Sequence, residues 1–459
     1  MSYSFSTYKP FYRRNLLVAG PIILSQVGTA LVQLIDTFMV GQLGTYQLAA
    51  VSFATSVFFL GVIFANGLMM SVTPVIGHLF ADGDKPKIGA VITNHLVFSF
   101  IVGTITMGIL LGVRYLLPHM GQDPGVIEYA IPYFVVITIS ALPNTIFMAF
   151  KQIMEGLGNT SISMVITLIA NVLNVVFNYL LIYGKLGFPE MGMLGAGVST
   201  LISRAVMPLM FFVYLIFSKK WWSYFSSIAL RLVNRTMMRE LFTIGLPIAL
   251  HLLMEMTAFA ISAIMMGWLG AVPLAGHQIA SNISNLLFMV VLGISSATTI
   301  RVSHQYGAHD YHAMRMAANA SIHLCLVANA IMGALIIIFR RQLAMLFSND
   351  SEVIALGAQL LILVGIYQLS DGMQAVGAGI LRGLKDVKIT MFVAFFAYIV
   401  INIPLGYLLA FVLEMGPIGI WISFIGGLFA AALLFRMRYV RDFRRIKTEM
   451  EQDNTSQSV

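Results

Sequence analysis

Residues 315–339 read RMAANASIHLCLVANAIMGALIIIF, and the run from Ala330 to Phe339 carries no charge. A transmembrane β-strand would need short segments of alternating polarity, and this run does not alternate. An apolar stretch of about 20 residues or more crosses a bilayer as a helix. Eleven other stretches read the same way, so twelve spans are predicted, near 15–40, 47–77, 90–117, 126–150, 161–184, 194–217, 240–268, 274–303, 315–339, 353–381, 389–413 and 418–437. The composition agrees. Of 459 residues, 59% are hydrophobic and 10% charged, with a mean hydropathy of +0.87. Soluble domains of this total length would need about a quarter charged residues to clothe themselves. A secreted enzyme, a nucleic-acid-binding module and a disordered scaffold are thereby excluded. The single cysteine, Cys325, excludes a disulfide framework and a Cys-based zinc site. No cleavable signal peptide is expected, because the first apolar stretch is too long and lacks a small-residue cleavage site.

The net charge of +8 is accounted for by topology. With the amino terminus placed in the cytoplasm, 22 of the 27 Lys and Arg fall on the inner side, from Lys9, Arg13 and Arg14 to the cluster Arg436–Lys447. Only Arg114, Lys185, Arg340 and Arg341 fall outside, and Arg204 is left inside a span. The positive-inside rule then puts both termini in the cytoplasm. The basic tail after Phe435 is expected to rest on anionic lipid headgroups.

The longest polar interruption, Ser218 to Arg239, separates two similar halves. Shifted by 226 residues, Met39-Val-Gly-Gln-Leu-Gly44 falls on Met265-Met-Gly-Trp-Leu-Gly270. Pro21 falls on Pro247, Gly67 on Gly293 and His78 on His304; with one more residue of offset, Gly156-Leu157 falls on Gly383-Leu384. The expected division is a six-helix lobe over 1–217, a linker over 218–239, a second lobe over 240–440 and a basic, then polar tail over 441–459. Six is even, so the second half re-enters in the same orientation, and the repeats are related by an axis along the membrane normal.

Nearly all of the 19 acidic residues lie in loops, tails or span ends; Asp36, Glu255 and Asp371 do not. Each costs about 2.5–3.5 kcal/mol near a span centre. No Lys or Arg is expected at comparable depth, Arg204 excepted. The three acids are therefore candidates to bind a proton, a cation or a cationic substrate. They belong to polar stripes at helical spacing. Gln26, Thr29, Gln33, Asp36 and Thr37 share one face, His251 and Glu255 another, and Tyr367, Asp371 and Gln374 a third. Asn171, Asn174 and Asn178 line the fifth span, and Gln278, Ser281, Asn282 and Asn285 the eighth, where Phe288 follows. Such stripes must face protein or water, and for the Asn and Gln residues interhelical hydrogen bonding is the plainer use. At about 1.5 Å per residue, Glu255 lies roughly 24 Å above Arg239 and Asp371 roughly 16 Å from Arg382, which allows the two carboxylates to meet inside the second lobe. The repeat does not duplicate the acids: Asp36 falls on Ser262, Glu255 on Thr29 and Asp371 on Asn144.

Other features carry less. Pro21 and Pro247 free a backbone carbonyl and kink or bend their helices. Gly108 and Gly112 form a GxxxG read as close packing, and the 29 Met and 32 Phe offer an adaptable apolar lining. HExxH, GxxxxGK[ST] and GxSxG motifs are absent, which argues against an enzyme.

Taken together, the twelve duplicated spans, Asp36-Thr37 before Met39-Val-Gly41, Pro247 followed by Glu255, and Leu369-Ser-Asp371-Gly-Met-Gln with Arg382-Gly383 resemble the multidrug and toxic compound extrusion (MATE) transporters, most closely the bacterial NorM type. The resemblance covers all but the last 15 or so residues. It implies an all-α, V-shaped pair of six-helix lobes in a bacterial inner membrane, exporting cationic lipophilic compounds in exchange for inward Na+ or H+, without cofactor and as a monomer. It implies a cation site of Glu255, Asp371 and Tyr367, with Asp36 also coupling. It further implies substrate contacts at Asp36, Gln33, Asn174, Asn178, Asn282 and Phe288. One departure stands out: archaeal relatives carry a second acid where this chain has Asn178, which weakens a proton relay confined to the first lobe. The alternatives weighed are a lipid-linked oligosaccharide flippase, which would favour Arg and Lys in its cavity, and a channel, which needs no asymmetric pair of lobes.

Overall fold

Inside hydrocarbon no water can bond the peptide groups, so each apolar span closes its own hydrogen bonds as a helix. The computed structural model describes residues 5–457 apart from 227 and 229. Twelve helices in it are long and apolar enough to cross a membrane. They are α1 (Ser6–Gly41), α2 (Thr45–Asp82), α3 (Lys85–Val113), α4 (Pro124–Gly156), α5 (Thr160–Tyr183), α6 (Gly192–Phe217), α7 (Arg235–Leu269), α8 (Ala271–Gly307), α9 (Tyr311–Met345), α10 (Ser351–Gly383), α11 (Val387–Val412) and α12 (Gly416–Glu449). No strand occurs among the described residues. The protein is a multi-pass membrane protein.

Most spans run longer than their apolar stretch. Their ends lie where polar side chains can cap the orphan N–H groups of the first turn. Asp84 caps α3 through the Lys87 N–H, and Asp310, its partner at the repeat offset, caps α9 through the Ala313 N–H. Asp123 and Asp350 cap α4 and α10 in the same way. Several acids outside the spans therefore have a local structural use. The turns repeat as well. Gly83 and His309 both adopt positive φ, as do Gly158 and Lys385, and Gly44 and Gly270. In the second half His309 and Lys385 take up a left-handed conformation that glycine holds without strain in the first.

Some expectations change. The third span ends at Val113 rather than 117, and a single 3₁₀ turn, Leu117–His119, follows. At the carboxyl end, the helix of α12 does not stop with the apolar residues but runs on to Gln457 through the basic tail. There Arg438 pairs with Asp386 at 2.6 Å and Arg445 with Glu449 at 3.6 Å, so part of the tail's charge is met within the chain. A Cβ added at Gly108 or Gly112 would meet nothing within 4 Å, so the GxxxG does not mediate close packing inside this chain. In the linker, Asn94 of α3 donates to the Leu232 carbonyl and accepts from the Asn234 N–H, pinning the segment that leads into α7.

By contact the chain forms two units, one of residues up to Ile23 with Leu250 onward, the other of Leu24–Ala249. Both divisions fall two residues after a helix-interior proline, Pro21 in α1 and Pro247 in α7. The leading part of α7 thus belongs with α2–α6, and the leading part of α1 with α8–α12. The Leu24–Ala249 unit has a core around Phe58, Leu110, Tyr133 and Phe134. The other has one core around Trp421, Phe424 and Tyr398 and a second around Val376, Phe435 and Ile380.

Candidate transport site

Each unit contains a polar cluster built from intramembrane side chains. In the unit of Leu24–Ala249, Asp36 of α1 accepts a hydrogen bond from the Asn178 side chain of α5. Asn178 also donates to Asn174, one turn before it, at 3.3 Å. The Ser199 hydroxyl of α6 donates to the Asn174 carbonyl at 2.8 Å. Helical spacing on α5 and the packing of α5 on α6 thus hold one face of Asp36. Tyr133 of α4 lies within electrostatic reach of Asp36 and beside Thr55 of α2. Arg204 of α6 is also in reach of Asp36, although no carboxylate lies within ion-pair distance of it among the described residues. Gln33 is exposed on α1 and does not join this cluster.

In the other unit, Glu255 of α7 and Asp371 of α10 are buried, at 8% and 0% exposure, and act electrostatically on each other. Tyr367, one turn before Asp371, is buried and feels both acids. Gln374, one turn after Asp371, bonds His251, one turn before Glu255, at 3.0 Å. The stripe on α7 and the stripe on α10 therefore face each other. Both carboxylate oxygens of Asp371 are buried without a hydrogen-bond partner. A buried ionised carboxylate in that state is strongly unfavourable. A bound cation or a proton relieves it, and a set of carboxylate and hydroxyl oxygens suits a hard cation. No group of three or more His, Cys, Asp or Glu that could hold a metal ion occurs among the described residues, so the pair would need tyrosine or backbone oxygens to complete a shell.

Two neighbours escape the sequence reading. Tyr398 of α11 is buried with its hydroxyl beside Glu255. It lies in a π-helical stretch, Phe395–Asn402, where the 3.6-residue spacing fails; Pro404, which lacks the N–H for the 400 carbonyl, was the signal available. Arg382, expected at the basic end of α10, is instead buried, donates to Ser295 at 2.7 Å and is in reach of Glu255. The expectation that only Arg204 comes near the acids is corrected accordingly. Of the remaining predicted residues, Asn282 is exposed and accepts from Gln278 at 3.3 Å. Phe288 is half-buried against the core of Val376 and Phe435.

The model of the MatE family matches residues 21–180 and 247–408. The chain belongs to the MatE family. Its members are transporters, so this is a transport protein and not an enzyme. The two matched segments begin at Pro21 and Pro247, in step with the internal repeat. Solved structures share the fold. The eukaryotic MATE transporter AtDTX14 matches with a TM-score of 0.87 at 20% identity, covering 96% of this chain and 99% of that one. A MOP superfamily transporter from Pyrococcus furiosus, whose pocket is described as reversed in polarity, matches at 0.86 and 24%, covering 95% and 97%. An outward-facing multidrug resistance MATE family transporter matches at 0.86 and 23% over the same shares. The family match does not favour the flippase reading.

Proposed function

We propose that this MatE transporter is an antiporter that exports cationic, lipophilic compounds in exchange for inward Na+ or H+, in the manner of the NorM-like bacterial branch, from an inner membrane with both termini cytoplasmic. The observation that carries the reading is the bare, fully buried carboxylate of Asp371 beside Glu255 and Tyr367. A cation held there competes with any step that needs the acids free, and one ion entering down 100 mV supplies about 2.3 kcal/mol. The test is ethidium movement in vesicles containing the purified protein, with Na+ and H+ gradients imposed separately. Export driven by at least one gradient is expected. Ethidium that stays put under both would overturn the reading.

Asp36 is the proposed substrate acid of the first half, with Asn174 and Asn178 orienting it. Asp36→Asn keeps an oxygen to accept from Asn178 and removes a costly charge. The variant is expected to melt no lower than wild type in detergent while its dye export falls about tenfold, the worth of one charge-assisted contact. Normal pumping by the variant would remove Asp36 from the site.

A further inference from the structure

Arg340 and Arg341 stand against the charge pattern of the chain. Nine spans separate them from the amino terminus and three from the carboxyl terminus. Both numbers are odd, so the pair lies on the membrane face opposite both termini, where few Lys or Arg fall. A cavity of about 720 Å³ opens beside them, between the last turns of α9 and the first turns of α10. The Arg340 Nη1 donates to the Ile337 carbonyl at 2.8 Å. Among the described residues no carboxylate lies within ion-pair distance of either guanidinium. Asp350 is taken up as the α10 cap, and Glu352, exposed in the first turn of α10, is not part of the cavity wall.

The wall changes character with depth. A Cβ at Gly333 of α9 would lie 2.6 Å from the Gly365 oxygen of α10, and this close crossing sets the register of the two antiparallel helices. Counted from the crossing at about 1.5 Å per residue, Ile362 and Ile338 stand roughly 5 and 8 Å above it, Gln359 and Arg340 roughly 9 and 11 Å, with Arg341 and Gln342 beyond. The deep end of the cavity is thus apolar and the end toward the loop is basic and polar. Gln359 is exposed two turns inside the span, at the height of the arginines. An amide at that depth needs a partner, and its side chain has none within the protein among the described residues.

We propose that this cavity is a binding site for an anionic phospholipid, with the headgroup phosphate at Arg340 and Arg341, a glycerol ester at Gln359 and an acyl chain over Ile338 and Ile362. The order of the wall is the order of the molecule: charge, then ester, then hydrocarbon. The guanidinium fork suits a phosphate, and basic pockets between spans take anionic headgroups. A soluble phosphate would leave the isoleucine end uncovered. A zwitterionic lipid brings its own cation toward two arginines. The site is separate from the acids of the transport site, and it stands whether or not the export reading does.

The test uses the full-length protein in phosphatidylcholine vesicles containing a trace of diazirine-bearing phosphatidylglycerol or diazirine-bearing phosphatidylcholine, with cross-links mapped by peptide mass spectrometry. Phosphatidylglycerol is expected to label the α9–α10 segment more than phosphatidylcholine does, and excess inorganic phosphate should not compete. The Arg340→Gln, Arg341→Gln double variant should lose that preference, while labelling of the basic tail after Phe435 stays as in wild type and reports an inserted, folded protein. The Arg340→Lys, Arg341→Lys variant keeps part of the preference, because the charge remains and the fork does not. Equal labelling by the two lipids in wild type overturns the proposal without recourse to any variant. A preference that survives the double glutamine substitution overturns it too. Labelling abolished by inorganic phosphate overturns the lipid as occupant and assigns the arginines to a soluble anion.

Discussion

Ion-driven export by the Asp371→Asn variant is expected to fall more than a hundredfold, with the protein at least as stable as wild type. Asp371 is fully buried and both its oxygens lack partners. The folded protein therefore gains nothing from the charge, and removing it lifts a cost of about 2.5–3.5 kcal/mol. If the coupling ion is held as proposed, it loses its most desolvated ligand. Truncating one member of a buried charge pair costs about 2–5 kcal/mol of binding, which exceeds a hundredfold at about 3 kcal/mol. Glu255→Gln should cost less. Glu255 is less enclosed, and Tyr398 and Arg382 already share its field. The Glu255→Gln, Asp371→Asn double variant should show no dependence of ethidium movement on either gradient. Gradient-dependent export by the double variant would mean that coupling lies elsewhere. The melting temperature in detergent separates lost coupling from lost fold.

How far the sequence can be read differs by level. The twelve spans are legible because hydrocarbon thickness sets a length that composition must honour. The repeat is legible because it preserves turn chemistry: Gly44 and Gly270 stand at the same positive-φ position, and Asp84 and Asp310 at the same cap. The approach of Glu255 to Asp371 is legible from stripe and depth together. Gln33 and Asn282 are both exposed, which is compatible with a stripe facing water, and periodicity assigns them a face without naming what covers it. Tyr398 is hidden by the π-helical turns of α11, which shift the register that periodicity assumes. Arg382 is hidden because a basic residue in the last turn of a helix has a ready explanation at the membrane surface, and nothing local says that its guanidinium turns to Ser295. The exchange of leading segments between the units is hidden for another reason. A linear comparison of halves detects similarity, not contact.

That exchange has a sharp consequence at two glycines. Gly67 and Gly293 stand in register in the repeat, and each lies against the leading helix of the opposite half of the sequence. A Cβ at Gly67 would sit 2.5 Å from the Ala249 Cα and 2.9 Å from its N. A Cβ at Gly293 would meet the Ile23 side chain and lie 3.1 Å from the Ile23 N. Ile23 and Ala249 are themselves repeat partners, each two residues past a proline. The glycines therefore serve one packing in each unit, α2 on α7 and α8 on α1, in which backbone meets backbone. Gly67→Ala cannot be absorbed by turning a rotamer, because the obstruction is main chain. It is expected to cost about 2–3 kcal/mol, the upper range for overpacking, and to lower the melting temperature in detergent. Gly293→Ala should cost less, since the Ile23 side chain can swing aside. Adding Ala249→Gly to Gly67→Ala removes the methyl at 2.9 Å but not the Cα, so recovery should be partial. Gly108→Ala, with open space around it, should be neutral or better by up to about 1 kcal/mol from helix propensity alone. Equal melting of the Gly67→Ala and Gly108→Ala proteins would show that the contact between α2 and α7 is looser than the geometry indicates.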